Sequence, residues 1–463
     1  MKKYFSLDHR LLENFCWPLL LAMFGLCACG LLNLYSVSAH TSFIGELSWF
    51  TRQCLFLGLA AVVMLLTMTV DYQYLKKIAW ILYALDVVFL IVVFKFGVTA
   101  NGATRWLDFG LFRFQPSETI KIVAVITLAA WFAKRDVSLG LGFKDFFVPA
   151  LIILLPCFLI LRQPDLGTAL HLAVTCGTLF LVFKFRPQVL IAAFLLLALG
   201  IGLTVYVAAH GSWQMLQEKG ILRPHQIARI ETFLDPYKDP TNKGFQVLQS
   251  KTAVGGGQLF GRGFMGGPQH KNGFVPEAET DFAFAALAEE WGFVGCLAML
   301  TLFLWLLSSG LTLARRSRDR FGSLIALGLT SLLFWQVVIN VGMVIGLLPV
   351  VGIPLPFISY GGTSLVVTVA AVGLILNIGM RRYLFQAEPV RENPYVWQQP
   401  VTEEQRLIVT VPIRRLAADT PFNPEIHPRN RLPHVRPWAK YLRRGRSSLS
   451  GWQTPDTFEV FED

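Results

Sequence analysis

The sequence predicts an all-α polytopic membrane protein: ten transmembrane helices, with a large extracytoplasmic loop between helices 7 and 8. Three observations predict it. Hydrophobic residues make up 54% of the chain and charged residues only 15%, where soluble domains run near a quarter charged. Long apolar runs recur at tight spacing. Lys and Arg gather on alternate sides of those runs. The net charge of +11 therefore reads first as topology, and no nucleic-acid partner is expected.

A span needs about 20 apolar residues. Ten runs qualify, at 17–38, 53–70, 78–98, 119–133, 146–161, 166–184, 188–209, 288–312, 322–347 and 363–381. The fourth and fifth are short and polar at one end, which suits tilted helices or helices partly inside the bundle. The first run is long enough to span, so it reads as a retained helix and not a cleaved signal. With the N-terminus inside, the short inner segments carry fourteen Lys/Arg and the short outer loops five. Both termini are therefore expected in the cytoplasm. The seven cysteines lie in or beside apolar runs, are odd in number and form no CxxC. They read as small buried hydrophobes.

Three regions follow. Residues 1–16 are a cytoplasmic N-terminus. Residues 17–382 are the membrane domain, including the extracytoplasmic loop 210–287 with its glycines, its Asp-Pro turns and its scattered Phe, Leu and Val. That mixture predicts a folded loop with short helices at the outer surface. Residues 383–463 are a Pro/Arg-rich cytoplasmic tail, expected to be disordered. Its basic run at 429–446 also suits anionic lipid headgroups, at about 1 kcal/mol per Lys or Arg.

Ionisable residues at span mouths are the main functional signal in such a chain. They form four clusters, all expected on the outer side. Arg105, Trp106 and Asp108 lead to Gln115, Pro116, Ser117, Glu118 and Lys121. Pro116 and Ser117 suit a helix start, and Glu118 complements the first-turn dipole. Glu118 and Lys121 share one helix face, as a structural ion pair or as a charged floor for a polar ligand. Arg162, Pro164, Asp165 and Gly167 form a turn in which Arg162 and Asp165 can pair with each other. Glu277, Glu279 and Asp281 fall within five residues at a span mouth, with Glu289 and Glu290 further on. Thr280 or Asp281 could cap the helix, but capping uses one residue and does not explain three acids. The fourth cluster runs from Asn340 to Ser364. Its prolines and glycines, followed by Ser359, Gly361 and Gly362, break the helical period at membrane depth. Irregular backbone there belongs inside protein or along a polar cavity. Its amides suit an anionic group. Together the clusters predict an outward-facing cavity for a molecule with an apolar tail and an anionic, sugar-like head.

These stretches resemble the RodA/FtsW (SEDS) family over about residues 10–385. The segments GATRWLDFGLFRFQPSE, RQPDLGTA, FLDPYKDPTNKGFQVLQSKTAVGGGQLFGRG, VPEAETDFAFAALAEEWG and LPVVGIPLPFISYGGTS occur in order between spans, and the wording is most similar to the RodA (elongation) branch. The resemblance implies ten transmembrane helices in the bacterial cytoplasmic (inner) membrane. It implies polymerisation of lipid II into glycan strands on the outer face, beside a class B penicillin-binding protein transpeptidase and the elongation machinery. The family's catalytic acid falls on Asp281, and its Arg-Trp and Gln-Pro-Ser-Glu motifs fall on Arg105, Trp106, Gln115, Ser117, Glu118 and Lys121. Glu279 stands where the family often has His.

The implied reaction inverts an α-linked pyrophosphate donor to a β-1,4 link. It needs a base for the acceptor hydroxyl, and Asp281 is the candidate. It needs cations at the departing diphosphate, for which Arg105, Lys121 and Arg229 or Arg262 from the long loop are the candidates. Glu277, Glu279, Ser359, Gly361 and Gly362 complete the expected substrate contacts. A divalent cation (Mg2+ or Mn2+) fits near the acids, although no ligand spacing specifies one; no organic cofactor is expected. The alternatives are a flippase for lipid-linked precursors, a septal polymerase of the FtsW type, and a scaffold that recruits the transpeptidase.

Overall fold

The computed structural model describes residues 14–39, 48–100, 103–110, 113–135, 141–183 and 243–381, with isolated positions from 185 to 237 and the pairs 411–412 and 457–458. Nine of the ten expected spans coincide with helices. They are α1 (Trp17–Ala39), α2 (Trp49–Thr69), α3 (Tyr72–Phe96), α4 (Pro116–Phe132), α5 (Phe143–Arg162), α6 (Leu166–Val182), α9 (Ala283–Arg315), α10 (Arg320–Val344) and α11 (Gly362–Met380). Seven of these are long and apolar enough to cross a membrane. The expected span at 188–209 lies largely outside the described residues, as does most of 1–16.

Local chemistry sets the helix starts. Asp71, Asp165 and Asp319 each accept a backbone N–H from the first turn of α3, α6 and α10, supplying an acceptor to donors that have no partner within the helix. Pro116 occupies the first position of α4, where its missing N–H costs nothing. Between α3 and α4 the chain forms a small antiparallel sheet, β1 (Val98–Ala100), β2 (Ala103–Asp108) and β3 (Arg113–Phe114), in that order. The all-α expectation missed it. A strand ladder pairs the backbone groups of a connecting segment that no helix could pair.

The bundle is apolar outside and polar at selected points inside. Leu55, Ile81, Phe147, Leu154 and Leu297 are exposed along helix flanks, whereas Glu118, Lys121, Asp165, His171, Gln336, Asn340 and Asn377 are buried. That pattern fits lipid as the solvent, where buried polar groups mark function or helix–helix ties. α4, α10 and α11 are largely enclosed, and α2, α3 and α5 are peripheral. α11 packs on α2, and α9 packs on α1 and α10.

Two loop helices follow the long connection: α7 (Lys243–Gly256) and the short α8 (Pro268–Lys271). α7 packs against α9. α9 itself breaks at Gly292, with φ 65° and ψ −164°. A Cβ there would collide with the backbone of Gly261, so the position takes glycine for both its φ and its contact. The backbone groups that the break releases are repaid by the loop: Arg262 N–H donates to Glu289 O at 2.9 Å, and Phe293 N–H donates to Gln258 O at 2.8 Å. The 23 residues from Phe293 to Arg315 rise about 34 Å, enough to cross the hydrocarbon alone. The part of α9 before the break is thereby free to build a site.

The chain divides into two compact units, Met1–Tyr395 and Val396–Asp463. In the second, the described residues form one antiparallel pair, β4 (Val411–Pro412) with β5 (Thr457–Phe458). The rest of the expected tail, 383–463, lies outside the described residues.

Candidate active site

A cavity of about 1260 Å³ gathers all four sequence clusters. Arg105, Trp106, Gln115, Glu118, Lys121, Glu277, Asp281, Gly361 and Gly362 line it as expected. Leu55 and Leu59 of α2 line it too and are exposed. The cavity therefore has an apolar flank along α2.

One wall is a relay of buried charge. Lys121 Nζ donates to Glu118 Oε1 at 2.8 Å. The same ammonium lies 3.4 Å from His171 Nδ1, and His171 Nε2 lies 2.9 Å from Leu332 O. A carbonyl only accepts, so Nε2 carries the proton and Nδ1 accepts from Lys121. Arg105 reaches down from the sheet. It lies 3.5 Å from Asp165 Oδ2 and donates to Pro164 O at 3.2 Å. Asp165 also accepts from Thr168 N–H and Oγ1–H, so one carboxylate caps α6 and fixes Arg105. This corrects the local pairing expected for Arg162. That residue instead stacks its guanidinium on Phe158, 5.1 Å from the ring centroid. At the rim, Asp108 faces Arg113 at 3.3 Å, and the Gly110 N–H together with Arg113 holds its carboxyl below its ordinary value.

The opposite wall carries Asp281 on the turn before α9. Phe282 is the N-cap residue, without a side-chain cap bond, so Asp281 is not spent on capping. Asn340 Nδ2 donates to Asp281 O at 2.9 Å and to Ile353 O at 2.7 Å. One buried amide thus ties the acid's backbone to the irregular segment before α11. The Asp281 carboxylate sits against Gly352, which has φ +73°; a Cβ there would come to 3.0 Å from Oδ2. Thr280 Oγ1 donates to Glu277 Oε2 at 2.9 Å.

Four expected contacts lie outside the lining. Ser117 is buried and accepts from Gln115 Nε2 at 3.0 Å. Ser359 is buried and accepts Leu355 N–H at 2.8 Å, closing a turn. Glu279 is half-buried and offers its backbone carbonyl to Tyr360 N–H at 2.7 Å. Burial, with the Glu277 charge adding, pushes its own carboxyl above its ordinary value. Arg262 is exposed in the loop beside the break in α9. Arg229 lies outside the described residues. The sequence reading passed over Trp49, Arg52, His171 and Lys251, all of which line the cavity. A lone His within an apolar helix was the available signal for His171.

Glu289 and Glu290 serve a separate centre. His270 Nδ1 lies 3.0 Å from Glu289 Oε2, and Nε2 lies 2.9 Å from Glu290 Oε1, all side chains being buried. Ser36 of α1 donates to Glu290 Oε1. Gln269 N–H donates to Glu289 Oε1 at 2.8 Å. Burial disfavours the imidazolium, but the hydrogen bonds and charges of both glutamates outweigh it, and the His270 pKa is pushed up to about 9. This cluster pins α8 and α1 to the start of α9. Among the described residues, no group of three or more His, Cys, Asp or Glu is arranged to hold a metal ion.

The fold and cavity thus define a multi-pass membrane protein with a charged chamber flanked by apolar residues of α2. Residues 17–384 match the FTSW_RODA_SPOVE family model, described as "Cell cycle protein". The chain belongs to this FtsW/RodA/SpoVE (SEDS) family. It is 39% identical over 355 residues to stage V sporulation protein E of Bacillus subtilis, covering 75% of this chain and 92% of that one. It is 39% identical over 301 residues to peptidoglycan glycosyltransferase MrdB of Escherichia coli, covering 65% and 77%. It is 33% identical over 377 residues to the probable peptidoglycan glycosyltransferase FtsW of B. subtilis, covering 80% and 92%. Among solved structures it is similar to a chain of a peptidoglycan synthase complex that coordinates polymerization and crosslinking, at 30% identity and TM-score 0.67, over 80% of this chain and 99% of that one. It is also similar to the rod shape determining protein RodA of Thermus thermophilus, at 27% identity and TM-score 0.58, over 80% and 98%.

Proposed function

We propose that this peptidoglycan glycosyltransferase polymerises lipid II into glycan strands for cell elongation, with Asp281 as the general base. The observation that carries the reading is one half-buried carboxylate, not spent on capping, in a cation-lined cavity with an apolar flank. The polyprenyl tail would lie along Leu55 and Leu59, with its head in the chamber. The acceptor hydroxyl oxygen attacks C1 of the donor sugar while its proton passes to the Asp281 carboxylate. The bond from C1 to the diphosphate oxygen breaks, and the diphosphate leaves with the electron pair. A positioned base contributes typically about 10²–10⁴-fold. Mg2+ is usually held by one or two carboxylates plus substrate phosphates. Glu277 and Asp281 are the carboxylates that Mg2+ or Mn2+ would use, and the ion would supply further charge at the diphosphate.

The proposed setting is the cytoplasmic (inner) membrane, with both termini cytoplasmic and the cavity outward, beside a class B penicillin-binding protein. Likeness to a chain of a synthase complex that couples polymerization to crosslinking supports that partner. A septal role is the second reading, because FtsW and stage V sporulation protein E are similar to this chain as well. The test is polymerisation of fluorescent lipid II by the purified protein with its transpeptidase, comparing wild type with Asp281→Asn. Glycan ladders from wild type alone, with the variant still folded, support the assignment; equal ladders remove Asp281 as the base. Absence of ladders from either moves the reading to a flippase. Rescue of a rod-shape mutant and not a division mutant would place the chain in elongation.

A further inference from the structure

The cavity cations are not equivalent. Arg105 is matched to Asp165, Lys121 to Glu118 and Arg113 to Asp108. Arg52 lies over the Trp49 ring, 5.6 Å from its centroid. Lys251, on α7, also lines the cavity. Among the described residues no carboxylate stands within ion-pair distance of it. A matched cation has its charge largely compensated, and a ligand anion must compete with the resident carboxylate. An unmatched one meets the anion with its full charge.

Lys251 also has a built seat. Its side chain crosses Gly346, at φ +77°, where a Cβ would collide with Lys251 Cε and Nζ. Six residues on, Gly352 receives the Asp281 carboxylate in the same way. One irregular backbone segment thus seats a cation and a carboxylate. Even fully extended, six residues separate their glycines by no more than about 20 Å. An ammonium is a compact charge with three donors, suited to the clustered oxygens of a diphosphate.

We infer that Lys251, seated on Gly346, holds the diphosphate of the polyprenyl-linked donor as it departs. This rests on the glycosyltransferase reading and names a cation at the leaving group, a place for which the sequence offered Arg105, Lys121 and Arg229 or Arg262. Lys251 forms no covalent bond. As the C1–O bond breaks, the electron pair moves onto the diphosphate oxygen, and the ammonium stabilises the charge that develops there.

The experiment uses the full chain with its transpeptidase partner, and farnesyl diphosphate as a short polyprenyl diphosphate. Farnesol is the uncharged control. Farnesyl diphosphate, and not farnesol, should raise the thermal midpoint of wild type and inhibit its ladders. Lys251→Gln should polymerise at least tenfold more slowly and need at least tenfold more farnesyl diphosphate for the same thermal protection. Lys251→Arg should recover part of both, and Gly346→Ala should resemble Lys251→Gln. Ladders and protection unchanged in Lys251→Gln would overturn the inference and leave the polymerase reading standing. Wild type without ladders would instead remove the polymerase reading and the leaving-group role with it; protection lost in Lys251→Gln would then mark Lys251 as a diphosphate site alone.

Discussion

Glu277 and Asp281 on one side of Phe282, and Glu289 and Glu290 on the other, belong to one acid-rich stretch. In sequence they look like a single cluster. In the structure the first two face the cavity, and the last two close on His270 and Ser36 in a buried ionic knot. The same chemical group lines a cavity in one place and ties the scaffold together in the other. What separates them is where packing sets each carboxylate: on the cavity wall against Gly352 for Asp281, against an imidazole for Glu289 and Glu290.

The comparison can be broken by substitution. The largest expected effect is on Asp281→Asn, which keeps shape and removes the proposed base. Polymerisation of lipid II should fall about 10²–10⁴-fold, with the thermal midpoint unchanged. His270→Ala should do the reverse. It leaves two buried carboxylates without their cation, which costs about 3–5 kcal/mol when a buried pair is broken. Thermal unfolding in detergent should show that loss, whereas enzyme that remains folded should still make ladders. An Asp281→Asn variant that unfolds, or a stable and inactive His270→Ala, would erase the distinction.

pH sharpens it. The pKa of His270 is raised from its ordinary 6.5 to about 9. A raised pKa means the folded state binds the proton more tightly than the unfolded state. That stabilisation is fully present below about pH 6.5 and is lost as pH rises through about 9. The thermal midpoint of wild type should therefore fall between these values, and His270→Gln should show a flatter profile. A smaller effect is expected from Gly352→Ala. Its φ of +73° and the 3.0 Å approach to Asp281 Oδ2 make an added methyl strained and misplaced. Stability should drop by about 1 kcal/mol, and polymerisation should fall more than that loss explains.

Much of the fold was legible because it is written in neighbouring residues. Apolar runs located nine helices; Pro116 marked the start of α4; the three-residue spacing of Glu118 and Lys121 placed them on one face, where they pair at 2.8 Å. The site was legible in part. Arg105, Lys121 and Asp281 were named because polar residues at span mouths are costly. Their partners were not. Arg105 meets Asp165 sixty residues away, in place of the nearby Arg162. Lys251 lay in a loop segment that carries the family resemblance but was given no role, because its charge alone does not distinguish it from a solvated lysine.

By itself, then, the sequence determined the lipid-facing helices, their caps and the supply of charged side chains. Hydropathy, helix spacing and capping depend on residues within a few positions of one another. Only the tertiary structure decided which carboxylate meets which cation, which lysine crosses Gly346, and which carboxylate rests on Gly352. Those outcomes depend on how α4, α6, α7, α9 and the segment before α11 pack together. In a low-dielectric interior, the energy of a charge is set by the group that packing brings beside it.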